Sequence, residues 1–292
     1  MRLFVFGIGY TALTLIERER GRFSHIAGTV RTPEKARALR AAGIDAYVFG
    51  DTFGDAAALA DAARADMVLA SVPPSPEGDP ALGWLRDAGV DPSAGWIGYL
   101  STVGVYGDYG GAWIDEAAPL LTRNARSQRR IAAESAWLER AAASQARGFV
   151  FRLPGIYGPG RNSLRDVADG TARIVVKQGQ VFNRAHVSDI AGAIAATFAH
   201  GTPAGVYNVT DDEPASQGEV VTFAANLLGA APPAPVPFES AELSEMARSF
   251  HLENRRVRNA KLKALPGFSL HYPTYREGLT ALFEAGEGRV TA

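Results

Sequence analysis

The order of residues predicts an α/β fold: a doubly wound, Rossmann-type parallel sheet followed by a smaller, mostly helical C-terminal region. Three observations carry this. Apolar strand-like runs alternate with helical stretches through the first half of the chain. The first run ends in a turn with Gly-x-Gly-x-x-Ala spacing, Gly7-Ile8-Gly9-Tyr10-Thr11-Ala12. After about residue 150 the alternation loosens into loops rich in proline and glycine.

The strands expected are Arg2–Phe6, Ile26–Arg31, Ala46–Phe49, Met67–Val72, Trp96–Ser101 and Gly148–Leu153. Between them, helical periodicity covers Tyr10–Glu19, Pro33–Ala42, Ala56–Ala63, Pro80–Asp87 and Ala125–Ala143. Thr32-Pro33 reads as a helix start, an N-cap followed by proline in the first turn. Later, Val187–Ala199 and Glu219–Leu228 read as helices and Gly205–Val209 as a strand, while Pro232-Pro233-Ala234-Pro235 breaks the chain. The division expected is 1–153 plus about 185–210 for a nucleotide-binding domain, and about 154–184 plus 211–292 for a substrate-binding region.

Composition narrows the function class. A chain of 292 residues, 47% hydrophobic and 21% charged, has ample material for a globular core. A net charge of −1 gives no bias toward nucleic acid or anionic membrane, so neither is expected as a partner. With no cysteine there is no disulfide, thiolate metal site or cysteine nucleophile. No apolar run reaches membrane-spanning length and no leader-like segment precedes the first strand, so a cytoplasmic location is expected.

The glycine turn is a place for a dinucleotide. Gly7 permits the tight turn, Gly9 lets a pyrophosphate reach the backbone, and Ala12 lets the helix pack on the strand. The N–H groups of Tyr10 and Thr11 then face the phosphates from a helix N-terminus. An acidic residue at the end of the second strand would favour NAD(H). Here Arg31 and Thr32 stand in its place, with Lys35 one turn on, so NADP(H) is the expected cofactor: arginine grips a 2′-phosphate that a carboxylate repels. Ser71, after the fourth strand, joins the expected cofactor set.

Further motifs follow in order: Ser101-Thr102-Val103-Gly104-Val105-Tyr106-Gly107, then Phe151-Arg152-Leu153-Pro154-Gly155-Ile156-Tyr157-Gly158-Pro159-Gly160, then Asn183-Arg184-Ala185-His186-Val187-Ser188-Asp189-Ile190, then Val206-Tyr207-Asn208-Val209. With the glycine turn they resemble the extended short-chain dehydrogenase/reductase superfamily, in its NAD(P)-dependent epimerase/dehydratase branch, along essentially the whole chain. The resemblance implies a catalytic Ser or Thr at Thr102. It also places Arg152, Pro154 and Tyr157 near cofactor and substrate, with Pro154 on the cofactor side.

The departure lies in the next helix. The family's proton donor is the Tyr of a Tyr-x-x-x-Lys motif, and the matching stretch is Arg126-Ser127-Gln128-Arg129-Arg130-Ile131-Ala132-Ala133-Glu134. Arg126 stands where tyrosine belongs and Arg130 where lysine belongs. A tyrosine of ordinary pKa about 10 can be tuned into a base; an arginine stays charged and cannot act as one. Arg130 keeps the lysine's task of holding the nicotinamide ribose. Tyr109 is the candidate substitute acid. Arg126, Tyr106, Tyr157, Arg161 and Asn162 are candidate substrate contacts, Arg126 and Arg130 sharing one helix face.

Two functions follow as expectations. One is an NADP-dependent oxidoreductase or epimerase acting on a sugar-like, phosphorylated or nucleotide-linked small molecule through an atypical site. The other is a non-catalytic NADP(H)-binding sensor or interaction protein. The family often dimerises through helices beside the central strands. The Ala125–Ala143 helix, with Ile131, Leu138 and Ala142 along one stripe, could form a homodimer face or be core. His186 reads as structural, ahead of a helix that Asp189 helps to start, and Asp211-Asp212-Glu213 as a solvated turn. The five histidines show no metal-site spacing.

Overall fold

The computed structural model describes residues 1–49 and 55–289. Seven strands form the main sheet: β1 (Arg2–Phe6), β2 (His25–Val30), β3 (Asp45–Val48), β4 (Met67–Ala70), β5 (Trp96–Thr102), β6 (Arg147–Leu153) and β7 (Gly205–Asn208). They lie in the order β7-β6-β5-β4-β1-β2-β3, and β3, β2, β1, β4 and β5 pair in parallel. The order therefore reverses between β1 and β4, the position at which open α/β sheets leave a crevice beyond the strand ends. The crossovers include α1 (Tyr10–Glu19), α2 (Pro33–Ala41), α3 (Ala56–Ala63), α4 (Pro80–Asp87) and α5 (Ala125–Ala143); α6 (Val187–Ala196) precedes β7.

Local chemistry starts these helices. The Thr32 hydroxyl accepts from Lys35 N–H with Pro33 in the first turn of α2, and Asp55 and Asp79 cap α3 and α4. The sheet is apolar on both faces, as helices on each side require. One face carries Phe4, Phe6, Val68, Ile97, Tyr99 and Val150 against Ala58 and Ala62 of α3, Trp84 of α4, and Ala133, Trp137 and Ala141 of α5. Strand alternation turns Trp96, Phe149 and Phe151 to the other face, where Trp96 stacks on Phe149 at 5.8 Å and meets Phe198 edge-on at 5.2 Å.

The chain divides into two compact units: Met1–Thr102, Ala125–Arg152 and Ala191–Tyr207 in the first, and Val103–Asn124, Leu153–Ile190 and Asn208–Ala292 in the second. The split differs from the sequence expectation chiefly in residues 103–124. Backbone bonds explain this. Tyr109 N–H donates to the Asn254 carbonyl at 2.9 Å, and Arg256 N–H to the Ala112 carbonyl at 2.9 Å. Arg255 Nη1 donates to the Gly107 carbonyl at 2.6 Å.

Besides its helices, the second unit holds three short parallel strand pairs: Gly155–Tyr157 with Arg184–His186, Ile174–Val176 with Pro235–Pro237, and Trp113–Ile114 with Arg256–Val257. The run Pro232-Pro233-Ala234 breaks the chain as expected, and Pro235 then opens a short strand. Proline tolerates the extended backbone, and Phe238 supplies an N–H to the Val176 carbonyl at 2.9 Å. Tyr157, Leu164, Val220, Ala224, Tyr275, Leu279 and Leu282 make this unit's core.

Gly28 on β2 is forced by packing. A Cβ there would stand 2.4 Å from the Val5 carbonyl oxygen and 3.0 Å from Ile8 Cδ1. Gly28→Ala must push β2 away from β1, so it is expected to cost about 1–3 kcal/mol and lower the thermal midpoint by several degrees. An unchanged melting curve would contradict the packing described.

Candidate functional site

The first unit carries the site's best-defined part. At the end of β1, Gly7 takes φ +86°, a conformation that favours glycine. Its N–H donates to Thr29 Oγ1 at 2.9 Å, and the next N–H, of Ile8, donates to the Thr29 carbonyl at 2.8 Å. One buried threonine of β2 therefore holds the turn through both its side chain and its backbone. Helix α1 starts at once from Gly9, with no side chain capping it and no acidic residue in its first turn. Its N-terminal N–H groups point along an axis whose partial charge favours an anion.

The two glycines have different reasons. A Cβ on Gly7 would meet Val72 Cγ2 at 2.9 Å. A Cβ on Gly9 would meet nothing nearer than the Gly7 carbonyl at 3.9 Å, so no protein atom demands glycine there. The open Cα face beside an uncapped helix start is what close approach of a pyrophosphate requires. Ala12 is fully buried and Thr11 nearly so, seating the helix. Tyr10 is half-buried, as is Ser71, whose N–H donates to the Phe6 carbonyl at 2.8 Å. Arg31 is exposed past β2 and makes no ion pair among the described residues. Thr32 and Lys35 are exposed beside it, the Thr32 hydroxyl being used as the α2 cap.

Helix α5 fixes the second part. Arg130 Nη1 donates to the Leu100 carbonyl at 2.7 Å and to the Tyr99 hydroxyl at 3.1 Å, and its guanidinium lies over the Tyr99 ring. The Tyr99 phenol is fully buried, and burial raises its pKa, so it stays protonated. Four residues on, Glu134 is 4% exposed and faces Arg152, 5% exposed. Arg152 Nη2 reaches Glu134 Oε2 at 2.7 Å and Nε reaches Oε1 at 3.2 Å, while Ser101 Oγ donates to Oε1 at 2.5 Å. A single buried carboxylate thus ties α5 to β5 and β6 and sets the backbone from which half-buried Thr102 projects. Arg126, at the tyrosine's position, is exposed.

The sequence reading missed Tyr99 and Thr29. Nothing in strand periodicity marks Tyr99 as more than core, and Thr29 differs only in being a hydroxyl inside a central strand.

The remaining candidates lie in or beside the second unit. Tyr106 is fully buried and its hydroxyl donates to Asn208 Oδ1 at 2.8 Å, so its surface is spent on packing and leaves none for the expected substrate contact. The Tyr109 hydroxyl donates to the Pro119 carbonyl at 2.7 Å. Asn162 is likewise committed: Oδ1 caps the helix Ser163–Ala168, and Nδ2 donates to the Gly158 carbonyl at 2.9 Å and to Glu287 Oε2 at 3.1 Å. Its structural role is that of a cap. Pro154 is half-buried and Arg161 exposed. Tyr157 is buried; Gly278 admits its ring, since a Cβ there would stand 2.0 Å from the hydroxyl.

His186 is buried; Nδ1 accepts from Ser188 N–H at 3.2 Å and meets Ser188 Oγ at 2.7 Å. Burial lowers its pKa to about 4. Asp189 accepts from the N–H groups of His271 and Tyr272 at 2.7 and 3.0 Å. The acidic turn is not wholly solvated: Asp211 is 2% exposed, and burial raises its carboxyl well above the ordinary range. His25, Asp45 and Asp61 gather at the opposite strand ends, but Arg2 Nη2 already donates to Asp61 Oδ1 at 2.9 Å and Tyr47 to Oδ2 at 2.7 Å.

No family model matches the chain. The solved structure of a functionally unknown conserved protein from Silicibacter pomeroyi DSS is 41% identical, with a TM-score of 0.86 over 98% of this chain and 99% of that one. The UDP-glucuronic acid 4-epimerase of Bacillus cereus, in complex with NAD, is 14% identical with a TM-score of 0.74 over 100% and 99%. A human epimerase family protein with NADPH is 18% identical with a TM-score of 0.69 over 97% and 99%. At such identities the last two bear on the fold alone. A 3-diazoavenalumate denitrifying reductase from Streptomyces sp. is 33% identical over 149 residues, 47% of this chain and 48% of that protein. The chain therefore spans about half the length of the curated relative it matches.

Two outcomes are expected. Glu134→Leu strands a buried guanidinium and should lose roughly 3–5 kcal/mol in denaturant melts, while adding Arg152→Met should restore part of it. Equal losses in single and double variants would contradict the buried pair. For His186, the native ring stays neutral down to about pH 4 while the unfolded ring titrates at its ordinary value of 6.5. The unfolded chain then binds the extra proton between those values, so stability rises with pH across that window. His186→Gln should flatten that rise; an unchanged slope would contradict the assignment.

Proposed function

We propose a function for a chain that has the fold of the extended short-chain dehydrogenase/reductase superfamily, in its epimerase/dehydratase-like branch: an NADP(H)-dependent oxidoreductase working in the reductive direction on a small, sugar-like or nucleotide-linked molecule. The observation that carries this reading is the turn after β1, with an open Cα face at Gly9 under an uncapped helix start. Gly7, Gly9 and the N–H groups of Tyr10, Thr11 and Ala12 would hold the pyrophosphate. Arg31, with Thr32 and Lys35, would hold the 2′-phosphate, and Ser71 and Pro154 complete the cofactor set. A bound reduced nicotinamide supplies a hydride.

An arginine at position 126 or 130 neither takes nor gives a proton near neutral pH, so the proton of the reaction must move through another residue. Arg130, held to the Leu100 carbonyl, offers a fixed positive charge for the ribose. Thr102 would hold the reacting oxygen, and Arg126 and Arg161 an anionic part of the substrate. Tyr109 would donate the proton after leaving the Pro119 carbonyl. The name of the half-length curated relative, a reductase, agrees in direction. A homodimer through α5 fits its half-buried Ile131 and Leu138.

A second reading, a non-catalytic NADP(H)-binding sensor, is favoured by one observation: the residue in the tyrosine's place is an exposed arginine.

Turnover of NADPH against a panel of carbonyl compounds and nucleotide sugars separates the two. Under the first reading Arg31→Asp should reverse the preference for NADPH over NADH, and Tyr109→Phe should lower the rate by about 100-fold. A preference unmoved by Arg31→Asp would contradict the nucleotide assignment. Tight NADPH binding with no turnover of any compound would leave the sensor.

A further inference from the structure

The second unit contains two adjoining cavities, of about 400 and about 300 Å³, that share the walls Ser163, Asp166, Arg184 and Val220. Each is of a size that holds a small molecule. Arg184 stands between them on its short strand, its guanidinium gripped by uncharged groups: Nη1 donates to the carbonyls of Phe182 and Ala215, each at 2.9 Å, and Nη2 to that of Ser216 at 3.4 Å. No carboxylate pairs with it among the described residues. Asp211 acts on its charge from nearby, and Asp211 N–H donates to the Arg184 carbonyl at 2.7 Å. Burial raises the pKa of the Asp211 carboxyl and lowers that of the Arg184 guanidinium, while the two charges pull each other the opposite way.

Two buried polar atoms beside these cavities lack a partner among the described residues. Tyr275 lines the larger one and is 1% exposed, yet its hydroxyl bonds to nothing. His251 lines the smaller one; its Nδ1 donates to the Ala247 carbonyl at 3.0 Å, which leaves Nε2 an acceptor, and Nε2 is unmatched. A buried polar atom left so is costly, about 1–3 kcal/mol, and asks for a reason. The larger cavity also presents Arg161 and Arg165 against Asp166 and Asp169. Burial and the neighbouring Asp169 raise the Asp166 pKa.

From this geometry we infer that the paired cavities are a binding chamber for a small hydroxylated organic anion, a sugar acid or a sugar phosphate. Its oxyanion takes the Arg184 guanidinium and the Tyr275 hydroxyl, and its hydroxyl groups donate toward His251 and Asp166. The chamber lies wholly within the second unit and needs no nucleotide in the first.

Calorimetric titration of the full chain with D-gluconate, D-glucuronate, D-glucose 6-phosphate and inorganic phosphate tests this, with NADPH titrated in parallel. Saturable binding of at least one of the three hydroxylated anions is expected, at least tenfold weaker in Tyr275→Phe and in Arg184→Gln. The sugar acids and the sugar phosphate, compared, show which oxyanion is preferred. Tyr275→Phe removes only an unmatched buried hydroxyl, so its thermal midpoint should equal or exceed that of the wild type and its NADPH affinity should match, and its loss of anion binding is not a folding defect. Binding of phosphate alone, no saturable binding, or equal affinity in Tyr275→Phe overturns the inference. Failure of NADPH to bind would instead sink the cofactor reading and leave this one standing.

Discussion

The arrangement of the first unit depends on how close β2 comes to β1. Gly28 lets the two strands approach where any Cβ would strike the Val5 carbonyl. That approach brings Thr29 under the turn, where it takes the N–H groups of Gly7 and Ile8. The turn is therefore not a loose loop but a segment bonded to the neighbouring strand, and α1 leaves it with its N-terminus pointed and uncapped. Preorganisation of this kind is what lets backbone amides bind an anion without first paying to order themselves.

A second anchor works by charge. Glu134 reaches Ser101 and Arg152 together, and it pins α5 at the level where β5 ends. One turn before it, Arg130 is held by a strand carbonyl and a buried phenol. A helix set this firmly presents the guanidinium at position 130 with little freedom. It also means that α5 carries the arginines at 126 and 130 on a helix whose seat is set by other residues.

Much of this was legible in the residues. Arg2–Phe6, Tyr10–Glu19, Ala56–Ala63, Pro80–Asp87 and Ala125–Ala143 have the bounds their periodicity and caps imply, because each is an apolar stripe with clear stop signals. The α/β fold, a parallel sheet flanked by helices, was legible in the alternation of strand-like and helical stretches. What periodicity does not carry is partnership across the chain. Tyr106 looked like a substrate contact because it sits in a motif and Asn162 because it follows the Gly158-Pro159-Gly160 turn, but the Tyr106 hydroxyl serves Asn208 across the chain and Asn162 caps the helix that starts beside it. Thr29 and Tyr99 were hidden for the converse reason: a buried hydroxyl in a strand looks like core until its partner is known. Residues 103–124 went to the second unit through backbone bonds to 254–258, which no local pattern announces.

The claim at the centre is that the β1–α1 turn receives the diphosphate of a nicotinamide nucleotide. Isothermal titration of NADPH into the wild-type chain and into Gly9→Val tests it most directly, since a side chain at position 9 meets almost no protein atom but would occupy the space over the helix start. The account predicts saturable binding to the wild type and its loss in a variant that melts like the wild type. Equal binding by the two, or no heat from the wild type, would contradict it.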